Sequence, residues 1–253
     1  MIPKLIHFFW FGGNPIPEKD LKNIESWKKY CPDYEIKMWT EDNYEFPDVD
    51  YVKQAVDAKK WGHVSDYARL DVLYRYGGVY FDTDVEIIKP IDDLLALNGF
   101  AGFEDGKNVN TGQGIGAMAN SSTIKGMMDA YEQISFIRDD GSLDLTPCPV
   151  INTGYLKLIG LKQNNKRQTL GDLEIFPTDY FCPKSMETGV IKVTNNTYSI
   201  HHFNGSWHTP KQKRNMMIVR TAKRLFGNRA GEIVKTLIIQ GGSIKKYLFR
   251  QLK

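Results

Sequence analysis

The stretch from Ser65 to Ile88 constrains the fold more than any other part of the chain. Tyr67, Leu70, Leu73 and Tyr74 recur at helical spacing, which predicts a helix from Asp66 through Tyr76 with Ser65 or Asp66 as its N-cap. Gly77-Gly78 stops it. Val79-Tyr80-Phe81 then reads as a brief β-branched and aromatic strand, and Asp82-Thr83-Asp84 sits where that strand ends. In an open α/β sheet, ligands bind beyond the carboxyl ends of the strands, so these two carboxylates stand where chemistry is expected.

The flanking segments continue the alternation of strands and helices. Ile2 to Phe11 reads as a buried first strand closed by Gly12-Gly13, Pro17 to Lys29 as a helix with Ile24 and Trp27 inward, and Glu35 to Trp39 as a second strand. Thr40 to Asp50 is an acidic loop. Phe100 to Phe103 and Gly114 to Met118 read as strands around a Gly/Asn-rich loop, Ser122 to Ile134 as a helix, and Ile200 to Trp207 as a strand and loop. Strands interleaved with helices predict a mainly parallel α/β sheet.

At 253 residues, with 42% hydrophobic and 25% charged residues, the chain has the composition of a folded globular protein, not of a disordered or coiled-coil one. Cys31, Cys148 and Cys182 are too few and too scattered for a disulfide framework or a zinc site and read as reduced thiols. Leu5 to Gly13 is interrupted by His7 and carries no cleavage site, and no stretch approaches the roughly 18 apolar residues of a span, so the expected compartment is the cytoplasm.

Charge is unevenly distributed. From Thr209 onward there are twelve Lys and Arg against one acid, Glu232, whereas the preceding residues are net acidic. Within this tail Ile218, Ala222, Leu225 and Phe226 fall on one side of a helix, and Lys213, Arg220, Lys223 and Arg224 on the other. A second apolar cluster, Ile233 to Ile239, is followed by Gly241-Gly242. Such a helix suits an anionic membrane surface, giving a protein peripheral on the inner face of the cytoplasmic membrane; equally, its apolar stripe would pack on the body and leave the cations solvated. Basic and aromatic residues form no nucleic-acid-binding module.

With 19 Asp in the chain, one or two Asp-x-Asp pairs arise by chance, and there are two, Asp48/Asp50 and Asp82/Asp84. Only the second follows a helix, a double glycine and a buried strand. Residues one apart on a strand face opposite ways, so Asp82 and Asp84 converge only if the chain turns. A turn would let one of them bind a hard divalent cation whose shell substrate phosphates complete.

The run Ser65-Asp66-x-x-Arg69-Leu70-x-x-Leu73-Tyr74-x-x-Gly77-Gly78-Val79-Tyr80-x-Asp82-x-Asp84, preceded by Ile2-Pro3-Lys4-x-Ile6-His7-x-x-Trp10, resembles the family 32 glycosyltransferases. These are DXD sugar transferases related to yeast mannosyltransferases and to the glucosyltransferase domains of clostridial toxins. The resemblance covers the first 90 or so residues and His201 to Trp207. It implies a GT-A catalytic domain over 1–208, followed by the basic tail 209–253, and a retaining transfer from a nucleotide-sugar with Mn²⁺ or Mg²⁺.

Carried over by residue, the resemblance places His7, Phe9, Trp10, Ser65, Tyr80, Ser206 and Trp207 in the donor site, with Trp10 stacking on uracil and so favouring a UDP-sugar. It makes Asp66, Arg69, Asp82 and the Trp207 indole N–H the catalytic set. Asp84 and Asp82 would hold the metal, joined by His201 or His202, where the toxins have an acid. Trp10 as a core residue and Asp66–Arg69 as an i,i+3 ion pair account for those positions equally well. The acceptor implied is a glycan or lipid-linked oligosaccharide, as in capsule or O-antigen synthesis. Substrate-selecting residues would lie between Phe103 and Pro183, with Asn108, Asn110, Asn152 and Thr153 as candidates. Two rivals remain: a non-catalytic sugar-nucleotide-binding module at the membrane, and a haloacid-dehalogenase-type phosphatase built on Asp82-Thr83-Asp84, although Glu86 lacks the hydroxyl that class needs.

Overall fold

A computed structural model describes residues 1–205 and 209–239. The chain divides into two compact units, Met1–Pro183 with Val193–His202, and Lys184–Lys192 with Phe203–Lys253.

The first unit is built on an eight-stranded sheet. Its strands are β1 (Leu5–Phe9), β2 (Glu35–Trp39), β3 (Gly78–Tyr80), β5 (Gly99–Phe103), β6 (Val109–Asn110), β7 (Ile115–Ala117), β8 (Gln168–Leu170) and β9 (Leu173–Phe176), while β4 (Val85–Ile87) pairs separately with β10 (Ser199–His201). Their order is β2-β1-β3-β7-β5-β9-β8, with β6 on β5. β1, β2, β3, β5 and β9 share one direction, so the α/β sheet is mainly parallel, with β6, β7 and β8 running against it.

Both faces of the sheet are covered, which is why its central strands β3, β7 and β5 are almost uniformly apolar and buried. Ile6, Phe8, Val79, Phe81 and Phe100 pack on one side with Trp27 of α1 (Glu18–Tyr30). Phe9, Tyr80, Ala101 and Phe103 pack on the other. That side is covered by α2 (Asp50–Asp57), α3 (Trp61–Tyr76), α4 (Ser122–Glu132) and α5 (Cys148–Leu158). α1 has acids in its first turn and lysines in its last, complementing the helix dipole. Its Trp27 indole N–H donates to the Val85 carbonyl at 2.8 Å, tying the helix to β4. α6 (Thr178–Phe181) sends Phe181 into the same layer.

α3 begins at Trp61, five residues before the start that the Tyr/Leu spacing predicts. Trp61 packs on Phe11 and closely against Gly12, which extends the helix, and Ser65 accordingly lies inside it, donating to the Trp61 carbonyl at 2.9 Å instead of capping. At its other end Gly77 (φ 66°) and Gly78 (φ 103°) hold backbone that other residues rarely adopt. A Cβ on Gly78 would lie 2.5 Å from the Leu5 carbonyl oxygen, so the close approach of β3 to β1 also requires glycine.

His7 and Phe9, which the resemblance puts in the donor site, are both buried in the core. Phe9 is enclosed by Phe11, Trp39, Tyr44 and Tyr80. The Trp39 indole N–H, which can only donate, meets His7 Nδ1 at 3.1 Å, so Nε2 carries the proton and donates to the Gly77 carbonyl at 2.8 Å. One neutral imidazole thus links β1, β2 and the end of α3.

The second unit contains α7 (Pro210–Ile239), kinked where Gly227 departs from helical geometry (φ 82°). Arg220 and Lys223, expected on a solvated face, instead turn toward the 184–192 segment: Arg220 Nε donates to the Met186 carbonyl at 2.9 Å and Lys223 lies 3.7 Å from Glu187. Leu225 and Phe226 are exposed. Residues 240–253, Gly241-Gly242 among them, lie outside the described residues.

Burial depresses the His7 pKa to about 4 from 6.5, and the Gly77 hydrogen bond offsets this only in part. The unfolded chain therefore takes up this proton first as pH falls. The stabilisation is full above pH 6.5 and is lost down to about pH 4, amounting to roughly 3 kcal/mol at most. Urea unfolding across that range should show a shallower pH dependence for His7→Gln; an unchanged slope would contradict the assignment.

Candidate active site

The site grows from one helix turn and one strand end. Asp66 and Arg69 lie one turn apart on α3, and Arg69 is buried. Its Nη2 donates to Asp66 Oδ1 at 2.8 Å and lies 3.3 Å from Asp82 Oδ1, while its Nε donates to the Ser65 carbonyl at 3.0 Å. The Tyr80 hydroxyl donates to the same Asp82 oxygen at 2.8 Å, and the guanidinium stands over the Tyr80 ring, 4.9 Å from its centroid. Burial opposes the charge on Arg69, but Asp82 and Asp66 outweigh it and hold the guanidinium protonated. The Asp66 carboxyl is raised by burial against the opposing pull of Arg69 and His63.

Beyond β3 the chain does turn. The Val85 amide donates to the Asp82 carbonyl at 3.0 Å, which brings Asp84 round beside Asp82. Antiparallel pairing of β10 with β4 sets His201 opposite Val85, and His201 Nε2 lies 3.1 Å from Asp84 Oδ1. Asp82, Asp84 and His201 each offer a ligand atom, all within 4.8 Å of one another. Two carboxylates and an imidazole are a donor set suited to Mn²⁺, and less to Mg²⁺, which prefers oxygen alone. Burial disfavours a charge on His201, yet Asp84, supported by Asp82 and Glu104, raises its pKa overall.

His202 goes elsewhere, because adjacent strand residues face opposite ways. Its Nε2 lies 2.9 Å from Glu86 Oε2. Trp10 is half-buried, with its indole N–H donating to the Asn14 carbonyl. Ser206 and Trp207 lie outside the described residues. The structure thus brings Asp66, Arg69, Tyr80, Asp82, Asp84 and His201 together, while Phe9 packs behind Tyr80 in the core, His7 is buried at the end of α3, and the His202 ring pairs with Glu86.

Several neighbours escaped the sequence reading. The Gly112 carbonyl accepts from the Asp82 amide at 2.8 Å, and a Cβ on Gly112 would lie 2.0 Å from Asp82 Oδ2 and 2.8 Å from Arg69 Nη1, so only glycine fits. Arg69 Nη1 also approaches Thr111 Oγ1 at 3.4 Å and Cys148 Sγ at 3.7 Å. Asn152 Nδ2 donates to Thr111 at 3.1 Å, and the Val109 amide donates to Thr153 Oγ1 at 2.9 Å, so both of these candidates support the β6 edge. Glu104, just past β5, bonds to Asn110 and faces His201, its carboxyl raised mainly by burial. The only local signal for these positions was the Asn/Gly-rich composition of 106–114.

Residues 17–101 match the model of the glycosyltransferase sugar-binding region containing a DXD motif. Over those residues the chain is similar to that sugar-binding region. This match includes the Ser65–Asp84 run of the motif resemblance, whereas Ile2–Trp10 and His201–Trp207 lie outside it. Over 98 residues the chain is 37% identical to inositol phosphoceramide mannosyltransferase 3 of Schizosaccharomyces pombe, covering 37% of this chain and 27% of that protein. It therefore spans about a quarter of that relative's length. An uncharacterized glycosyltransferase of Acanthamoeba polyphaga mimivirus is 25% identical over 194 residues, 72% of this chain and 74% of its own. Among solved structures, the PaToxG glycosyltransferase aligns over 62% of this chain and 68% of its own, with 19% identity and a TM-score of 0.49.

Removing the guanidinium would leave Asp66 and Asp82 without their shared cation. Arg69→Met should lower stability by about 3–5 kcal/mol in urea unfolding, the cost of breaking a buried ion pair from one side. A loss below about 1 kcal/mol would mean that the guanidinium is not the shared counter-ion.

Proposed function

We propose that the chain is a metal-dependent, retaining glycosyltransferase that moves a hexose from a UDP-sugar to a hydroxyl of a glycan or lipid-linked oligosaccharide, in the cytoplasm, during capsule or O-antigen assembly. The observation that carries this reading is the Asp82, Asp84 and His201 group lying directly beside the buried Arg69. A cation-ligating corner next to a fixed positive charge suits a diphosphate. Relatives named for mannosyl transfer to inositol phosphoceramide support a lipid-linked acceptor.

In this reading Asp82, Asp84 and His201 hold Mn²⁺, which when bound supplies Lewis-acid stabilisation to the diphosphate leaving group. Trp10 stacks on the uracil. Arg69 adds a preorganised positive charge near the departing oxygens and keeps Asp66 and Asp82 in place, so that stabilisation requires no rearrangement as charge develops. Asp66 accepts hydrogen bonds from the sugar hydroxyls. The acceptor hydroxyl approaches the face that the nucleotide leaves: its oxygen forms the new bond to the anomeric carbon as the bond to the phosphate oxygen breaks, and the departing phosphate oxygen takes the proton. Trp207, through its indole N–H, donates to the diphosphate.

Donor hydrolysis and thermal shifts with UDP-, GDP- and CMP-sugars, with and without Mn²⁺, test this. Stabilisation and slow hydrolysis should be confined to UDP-sugars with the ion present. Asp84→Ala should lose this activity at least 100-fold while unfolding at nearly the wild-type temperature. Wild-type-like turnover by Asp84→Ala in EDTA would overturn the proposal. Trp10→Ala should weaken UDP binding about tenfold or more, as loss of base stacking does; unchanged affinity would remove Trp10 from the donor site.

A further inference from the structure

The outward face of α7 carries a pattern that the transferase reading leaves unused. Met217, Thr221 and Leu225 lie at i, i+4 and i+8, with Ile218 beside them, and Lys211, Lys213, Arg214 and Arg224 interleave on the same face. All of these residues are exposed, Met217 at 63% and Leu225 at 64%. Phe226, 77% exposed, precedes the Gly227 kink and projects at the bend. The cations nearest the 184–192 segment, Arg220 and Lys223, are turned toward it, while Met217, Ile218 and Leu225 stay exposed beside the remaining cations. Glu232, the one acid from Thr209 onward, pairs with Lys223 at 2.8 Å across the kink. Unpaired negative charge is therefore missing among the described residues of this stretch.

We propose that this face of α7 docks on an anionic lipid surface, with Met217, Ile218, Leu225 and Phe226 entering the headgroup boundary and Lys211, Lys213, Arg214 and Arg224 meeting lipid phosphates. Interspersed cations and apolar side chains on one exposed face, with Phe226 exposed at its kinked end, match that interface on both counts, charge and hydrophobicity. Among the described residues no helix is long and apolar enough to cross a membrane, so the helix lies on the surface. A polyanion such as RNA would satisfy the cations but leave the four apolar side chains in water, and a second copy of the face would bring like charges together.

Flotation of the full chain, without donor or metal, with vesicles of phosphatidylcholine alone or with 30 mol% phosphatidylglycerol (about a third anionic lipid, the regime where basic groups bind) tests this independently of sugar transfer. Binding should require the anionic lipid and fall with added salt. Leu225→Glu/Phe226→Glu and Arg214→Gln/Arg224→Gln should each reduce partitioning at least tenfold, with circular dichroism and UDP-sugar hydrolysis unchanged. Equal binding to both vesicle types, indifference to both double variants, or retention on RNA but not on vesicles would overturn the proposal. So would a dimer in light scattering that Leu225→Glu/Phe226→Glu dissolves while vesicle binding persists.

Discussion

A buried guanidinium cannot exist alone, and the first unit is arranged around satisfying the one at Arg69. Its neighbours come from a helix turn (Ser65, Asp66), a strand and its end (Tyr80, Asp82) and a glycine-rich crossing (Thr111, Gly112) that the chain reaches far apart in sequence. Desolvating an ion costs several kcal/mol, so the carboxylates must be delivered accurately. Gly112 permits that delivery because a Cβ there would occupy the space of the Asp82 carboxylate and the guanidinium. The same arrangement leaves two acids and a histidine converging at the next turn.

Secondary structure then fixes what charge alone would scatter. The turn after β3 rotates Asp84 beside Asp82, and the register of β10 on β4 decides that His201, not His202, faces them. A one-residue slip of that pairing would exchange the two imidazoles. His7 does comparable work in the core, where a neutral ring with a defined tautomer spans β1, β2 and the helix terminus.

Much of this was legible in local sequence. β2 falls at Glu35–Trp39 as its alternation predicts, and Gly77-Gly78 marks the helix stop because both positive φ and close packing demand glycine. The start of α3 was not legible, since Trp61-Gly62-His63-Val64 carries no cap signal and is drawn into the helix by tertiary packing of Trp61. His7 belongs to the Ile2–Trp10 run that resembles sugar transferases, but such a run does not say how deeply its side chains are buried, and both His7 and Phe9 lie in the core. Glu104, Thr111 and Gly112 reach the site through long-range pairing of β5, β6 and β7, for which the local sequence carries no spacing rule. On α7 amphipathic periodicity was visible, yet periodicity alone does not tell which side faces inward.

Diffraction from a crystal soaked with MnCl₂ and UDP, collected at the manganese absorption edge, tests the account most directly. It predicts a single anomalous peak bound by Asp82, Asp84 and His201 and by diphosphate oxygens, with the Arg69 guanidinium beside the phosphates. A peak located elsewhere, or UDP bound with this corner filled by protein side chains, would contradict it.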